Sequence, residues 1–288
     1  MKKFKENKPK LYIIALLPFL AIVLFYLIVP LAMILVRSFM PEGAPGFTLD
    51  NFFSVFTRRL YQQAVMNSLV VSVCSALIGL LAGFFGANAA HGSKGKTRTF
   101  FMSILNMTSN FAGIPLAFAY IILLGSAGVA VMFGKNTGIA FLADFDLYNV
   151  WGLMITYIYF QIPLATLLLV SAFDGLRDEW RDAVRLLGGN SIKYWTKVAV
   201  PVLMPSILGT LSVLFANALA AYATAYALLQ GNFSLLPIRI SEQFVGDVTQ
   251  HKEFGSALAV ILMALMVLAI FVNDRILKRM RRAAYEKK

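Results

Sequence analysis

Few side chains in this sequence are suited to metal ligation or proton transfer: two histidines, one cysteine and fourteen carboxylates in 288 residues. Cys74 stands alone, which excludes an intrachain disulfide and any Cys-based metal site. His91 and His251 are expected in loops on opposite sides of a membrane, too far apart to share a ligand. There is no phosphate-cradling glycine loop, no pair of carboxylates within an apolar run and no nucleophile beside a histidine. No catalytic residue and no metal site is therefore expected. The spacing that does stand out is mechanical. Trp180, Ala183, Val184 and Leu187 recur at i, i+3, i+4 and i+7, and Asp178, Arg181, Asp182 and Arg185 repeat that spacing on the other side. A helix with one apolar and one charged face, too short to be stable alone in water, must dock against something.

The elements that carry this segment follow from composition. Hydrophobic residues make up 59% of the chain, charged residues only 14%, and mean hydropathy is +0.73. Soluble domains carry about a quarter charged residues, so the natural solvent here is a bilayer. Six runs reach the roughly 20 apolar residues that a membrane-spanning helix needs: residues 11–36, 66–90, 100–124, 148–172, 202–229 and 255–277. The runs are continuous rather than alternating, which excludes a transmembrane barrel. The expected fold is an all-α polytopic membrane protein, one domain over residues 1–288, with the polar connection 173–201 between the fourth and fifth spans.

The first run follows Lys2, Lys3, Lys5, Lys8 and Lys10. It is longer than a signal-peptide core and ends without a good cleavage site, so it reads as a retained span. With the N-terminus inside, 20 of the 26 Lys and Arg residues fall on the inner side, which places both termini in the cytoplasm. The excess of +12 suits anionic headgroups. These charges flank spans and form no nucleic-acid-binding motif, so nucleic acid is not an expected partner. External surfaces are expected at 37–65, where Asn51 to Phe56 suggests a short amphipathic helix, at 125–147 and at 247–254.

Within 173–201 the start and stop signals agree. Asp178 and Glu179 suit the positive end of a helix dipole, and Gly188 can adopt the left-handed conformation that ends a helix. Asn190 or Ser191 can cap a second short helix, and Pro201 is expected to open the fifth span, where its missing N–H costs nothing.

The run Asp182-Ala183-Val184, three residues, Gly188, nine residues, Val198-Ala199-Val200-Pro201 resembles the signature of permease subunits of binding-protein-dependent ABC importers: Glu-Ala-Ala, three residues, Gly, nine residues, Ile, one residue, Leu-Pro. Asp182, Ala183, Gly188 and Pro201 match at identical spacing; Asp182, Val184, Val198 and Val200 are conservative departures. Six spans with the signature between the fourth and fifth resemble the type I importer architecture, and Asn67-Ser68-Leu69 is similar to a common family feature. The resemblance implies a multi-pass subunit of a bacterial-type plasma membrane. It also implies a cytoplasmic ABC ATPase dimer carrying the ATP and Mg2+, a second permease subunit, identical or related, and an extracellular substrate-binding protein. No cofactor is expected on this chain. The signature helix would fit a groove on the ATPase, with Asp182 as a polar anchor, Ala183 allowing close approach and Gly188 the tight reversal. The helix face adds Trp180, Val184 and Leu187 as the apolar contact.

Polar residues within spans are expensive against lipid and mark candidate pathway positions. These are Asn106 and Asn110, sharing a face with Gly113 ahead of Pro115; Gln161 before Pro163; and Asn217 with Thr224. Ser212, Ala216, Ala220 and Thr224 form a small-residue stripe suited to close helix approach, within one subunit or between two. Residues 220–227 and the run Gly231 to Pro237 are similar to permeases of the polyamine, iron and phosphonate branch, which implies a small polar solute of the spermidine or putrescine type. Asp144, Asp146, Glu242 and Asp247 lie near the expected outer mouth. The alternative is a secondary transporter driven by an ion gradient. Such carriers normally hold a buried ionisable residue or show repeated halves, and neither is evident.

Overall fold

The computed structural model describes residues 8–229, 233–245 and 250–285. Lys2, Lys3, Lys5, Gly231, Asn232 and Asp247 lie outside the described residues. All regular elements among the described residues are helical. In chain order they are α1 (Lys8–Val23), α2 (Val29–Ser38), α3 (Asp50–Thr57), α4 (Arg59–Gly92), α5 (Gly95–Asn110), α6 (Ile114–Leu124), α7 (Val129–Thr137), α8 (Ala140–Ala143), α9 (Val150–Phe173), α10 (Asp178–Leu186), α11 (Ser191–Tyr194), α12 (Val200–Leu219), α13 (Tyr222–Leu229), α14 (Leu236–Phe244) and α15 (Lys252–Tyr285). Among the described residues, six helical stretches are long and apolar enough to cross a membrane: Leu16–Ser38, Arg59–Gly92, Ile114–Thr137, Val150–Phe173, Ser191–Leu219 and Lys252–Met280.

The chain divides into two compact units, Met1–Arg59 with Arg239–Ile261, and Leu60–Ile238 with Leu262–Lys288. In the first unit, the expected amphipathic helix appears as α3. Its Asn51 amide donates to the carbonyls of Ser38 (3.2 Å) and Met40 (2.8 Å), which fixes the reversal after α2. Thr48 Oγ1 accepts from the Asp50 N–H at the helix start, and Phe39 stacks on Phe47 with centroids 5.5 Å apart. His251 Nδ1 lies 2.8 Å from Glu42.

The second unit is built on the pair α4 and α9. A methyl placed on Gly79 would come within 2.6 Å of Gln161 Cβ, one on Gly86 within 2.7 Å of Thr166 Oγ1, and one on Gly83 would strike Ala165. Three glycines on one face therefore bring the two backbones together over about two turns, the close approach that drives helix association where lipid removes the hydrophobic incentive. One core surrounds this pair with Leu80, Leu169, Phe173, Leu203 and Leu214; another gathers Leu116, Leu153, Tyr157, Leu228 and Ile238.

Two of the expected spans are interrupted. The run 100–124 divides at Phe111–Gly113, where Gly113 has φ of 72°, into α5 and α6. Gly113 supplies a conformation that L-residues avoid, and Pro115 sits in the first turn of α6, where it has no N–H to lose. The run 202–229 divides at Ala220–Ala221 into α12 and α13. Pro201 does not open the fifth span. The helix is continuous from Ser191 and passes a wide turn at Trp195–Ala199, in which the Val200 N–H reaches back five residues to the Trp195 carbonyl. The same wide turn occurs at Leu24–Ile28, where Val29 donates to Leu24 directly before Pro30. A proline ring clashes with the carbonyl four residues earlier, and widening the ladder there relieves the clash without ending the helix.

Candidate functional site

The connection between the fourth and fifth spans begins at Asp174, directly after α9. Asp174 Oδ2 accepts from Arg98 Nη2 at 2.5 Å, and Oδ1 lies 3.2 Å from His91 Nδ1. His91 belongs to the last turn of α4 rather than to a loop, and Arg98 to the first turn of α5. The Arg98 hydrogen bond lowers the Asp174 pKa from its ordinary value, with His91 contributing in the same sense and partial burial opposing both.

Helix α10 follows, with Asp178 and Glu179 in its first turn as the sequence suggests. Gly188 has φ of 70°, and the Gly189 N–H closes on the Val184 carbonyl at 2.8 Å, so the glycine pair forms the expected helix stop. Asn190 Oδ1 accepts from the Lys193 N–H at 3.0 Å and caps the helix that continues into the fifth span. Asp182 is exposed and 3.6 Å from Arg185, and Ala183 is exposed beside it.

The apolar face needs a correction. Trp180 and Val184 are half-buried and pack on the chain's own core cluster, which includes Phe173, Tyr194 and Leu203; Phe84 and Trp195 pack on the same cluster, and the rings of Phe84, Phe173 and Trp195 lie 5.0 to 6.3 Å apart. They seat α10 on its own bundle. Leu187 does point outward, 87% exposed, and is joined by Leu186 at 88% and by Ile192 at 70%. Periodicity identifies the greasy positions but not which of them the bundle uses. Leu186 and Ile192 escaped the sequence analysis because they lie off the i, i+3, i+4, i+7 register. Arg181 stacks over the Tyr194 ring at 5.2 Å, and Arg181, Arg185, Asn190 and Ser191 line a polar cleft of about 250 Å³.

The pathway candidates separate into two groups. Asn106, Asn110 and Asn217 are exposed. Asn110 Nδ2 donates to the Asn106 carbonyl at 2.8 Å and Asn106 Nδ2 to the Met102 carbonyl at 2.9 Å, which leaves each amide oxygen to face outward. Gln161 and Thr224, by contrast, are 0% and 2% exposed. Gln161 Nε2 donates to the Leu214 carbonyl at 2.7 Å, and its Oε1 lies 3.5 Å from Asn217 Nδ2. Gln161 is an internal brace between α9 and α12, and Thr224 is buried where Asn217 is exposed, with the helix interrupted between them. A residue not singled out in the sequence completes the brace: Tyr157, 2% exposed, donates its hydroxyl to the Ala221 carbonyl at 2.5 Å, on the interruption itself. The interruptions are neighbours, since a Cβ on Gly113 would lie 3.8 Å from Ala223 Cβ.

The small-residue stripe is also broken at Ala220, and Ser212 is taken up by Asn273 of α15, whose Nδ2 donates to Ser212 Oγ and to the Leu208 carbonyl, each at 2.8 Å. Asn67 and Ser68 are structural: Asn67 Nδ2 donates to the Ser234 carbonyl at 3.0 Å and Ser68 Oγ accepts from the Leu236 N–H at 2.8 Å. Near the expected outer mouth, Glu242 pairs with Arg239 at 2.7 Å, while Asp144 and Asp146 are exposed. Among the described residues the arrangement holds no acid–base pair aimed at a common point; what it offers is a seat for α10, an outward apolar corner and two adjoining breaks beside exposed amides.

Residues 75–282 match the sequence profile of the binding-protein-dependent transport system inner membrane component, and the chain belongs to that family. It is an ABC importer permease subunit, a multi-pass protein of the inner membrane. Among its relatives, the spermidine/putrescine transport system permease protein PotB of Haemophilus influenzae is 27% identical over 90% of this chain and 91% of its own length. The thiamine transport system permease protein ThiP of Brucella suis is 23% identical over 79% of this chain, and this chain spans 41% of the length of that relative. A bacterial ABC transporter that imports the acidic polysaccharide alginate shares the fold, with a TM-score of 0.70 at 16% identity over 92% of this chain and 96% of that one.

Proposed function

We propose that the chain pairs with a second permease subunit to form the membrane passage for a small polar solute, a polyamine of the spermidine or putrescine type, handed over by an extracellular binding protein and driven by a cytoplasmic ATPase pair that holds the ATP and Mg2+. The observation that carries the coupling part is the outward corner at Leu186, Leu187 and Ile192, beside Asp182, Ala183 and the left-handed Gly188. Three large apolar side chains in water stand ready to be covered, and each buried leucine favours docking by about 1.5–3 kcal/mol. In this reading both termini and the connection 173–201 are cytoplasmic, supported by the distribution of Lys and Arg. Asp182 anchors the ATPase surface, and Trp180 and Val184 pass its movement to the bundle. Cargo passes the exposed amide oxygens of Asn106, Asn110 and Asn217, which accept from ammonium groups without the deep hold of a carboxylate. The 27% identity to a spermidine/putrescine permease over nearly the whole chain supports the cargo class.

The test is copurification in mild detergent with identification of the associated chains, then reconstitution in vesicles with labelled spermidine and, in parallel, labelled thiamine. ATP-dependent accumulation of spermidine is expected. Accumulation of thiamine alone would replace the cargo, and uptake by this chain alone on an ion gradient would overturn the reading. The double variant Asp182→Lys with Gly188→Val is expected to insert normally and to lose ATP-driven uptake, since a β-branched residue at φ of 70° is strained.

A further inference from the structure

A short polar contact of the second unit lies at the very start of the coupling segment, ahead of its signature helix. One carboxylate, Asp174, serves both sides of the short turn between α4 and α5: His91 at the end of α4 and Arg98 at the start of α5. It is the first residue after α9 and stands four positions before α10. Above it, α9 is locked to α4 by the contacts of Gly79, Gly83 and Gly86 with Gln161, Ala165 and Thr166. Below it, Trp180 and Val184 seat α10 on the core cluster to which α4 contributes Ala87 and Ala90 and α9 contributes Leu169 and Phe173.

We infer that Asp174 is a positioning residue for force transmission: its carboxylate clamps the α4–α5 turn to the end of α9, so that a displacement of α10 moves α4, α5 and α9 as one body. The inference rests on the coupling reading above. The α4–α9 contact is one of close packing and resists separation more than sliding or rotation, because the glycines of α4 offer no side-chain bond and the polar groups of Gln161 and Thr166 are bonded to Leu214 and Ile162 instead. A carboxylate with one oxygen on each side of a turn supplies that direction. Helix α5 carries Asn106 and Asn110 and ends at the interruption beside α13. A clamp at its start therefore sets the position of the exposed amides at its far end. Without the clamp, α10 would still dock but its motion would be absorbed in the Asp174–Arg177 loop.

The experiment uses the full chain in complex with its ATPase in lipid nanodiscs, with Cys74→Ser and a reporter thiol at Ala220→Cys, and an impermeant maleimide as probe. Three quantities are read: ATPase copurification, Tm, and the change in labelling rate on adding ATP and vanadate. Asp174→Asn and Arg98→Gln are each expected to retain the ATPase and to lower the ATP-induced change in labelling by about tenfold, within the range of site-to-site couplings. The exchanged pair Asp174→Arg with Arg98→Asp is expected to recover most of it. An unchanged ATP response in both single variants overturns the clamp. So does a response lost in the single variants but not recovered by the exchange, with Tm unaltered. A parent complex that carries no ATPase overturns the coupling reading itself, a result distinguishable from either.

Discussion

The fourth and fifth spans invite comparison, because both are apolar and both contain proline, yet one remains a single helix and the other does not. Helix α9 runs unbroken from Val150 to Phe173 through Pro163, with Asn149 capping its start by accepting from the Trp151 and Gly152 N–H groups. Helix α12 tolerates Pro205 equally well, then ends at Leu219 before two alanines, the residue type that favours helix most. The interruption is thus not written in local breakers. It is imposed from across the bundle, by the Tyr157 hydroxyl on the Ala221 carbonyl and the Gln161 amide on the Leu214 carbonyl. The continuous span is the tool that shapes the broken one. Its own rigidity comes from α4, whose glycines let it lie against a neighbouring backbone.

The comparison can be broken most severely at the α4–α9 contact. Gly83→Leu should cost about 3 kcal/mol or more by overpacking, seen as loss of folded protein or a large fall in Tm; a tolerated leucine would show that α9 is not held there. A smaller effect is expected at the brace. Tyr157→Phe removes one hydrogen bond to a buried carbonyl, worth about 1 kcal/mol, and should alter thiol labelling at Ala220→Cys while leaving α9 intact; equal labelling would mean that the interruption forms without Tyr157. Smaller still in stability is Asn110→Ala, which should leave Tm within about 0.5 kcal/mol equivalent because the residue is exposed, yet raise the spermidine concentration needed for half-maximal uptake. Thr224→Ala should do the reverse, touching Tm and not uptake. The slightest is a pH dependence at the end of α9. Asp174 has a lowered pKa when folded, so its contribution is complete above the ordinary value of 3.8 and is lost as pH falls through the lowered one. The Tm difference between the parent and Asp174→Asn should shrink as pH falls below 3.8 through the lowered value.

Hydropathy revealed that six membrane helices exist, because length and apolarity are local quantities, but it misplaced two of them: the third lies at Ile114–Thr137 rather than 100–124, taking in part of the stretch 125–147 expected outside, and the fifth at Ser191–Leu219 rather than 202–229. The polar connection was equally legible: Asp178 and Glu179, Gly188 and Asn190 each act through their own backbone neighbours. What escaped was long-range. Nothing near Ala220 announces a break whose cause sits at Tyr157, and Gly113 with Pro115 signalled only a weakening of the third span. The packing of Trp180 and Val184 on the chain's own bundle was hidden for a related reason: a helical period says that a face will be covered, while the core that half-covers these two is built from residues distant in sequence.

The helix Leu16–Ser38 has no residue of its most apolar stretch buried within the chain. At 1.5 Å per residue the 26 residues of the apolar run 11–36 extend about 39 Å, more than the roughly 30 Å of hydrocarbon in a typical bilayer. Its tilt is consequently decided from outside, by lipid thickness and by whichever neighbour leans on it. A thinner or thicker membrane would re-angle this one pillar first, making it the element through which the surrounding bilayer can speak to the transporter.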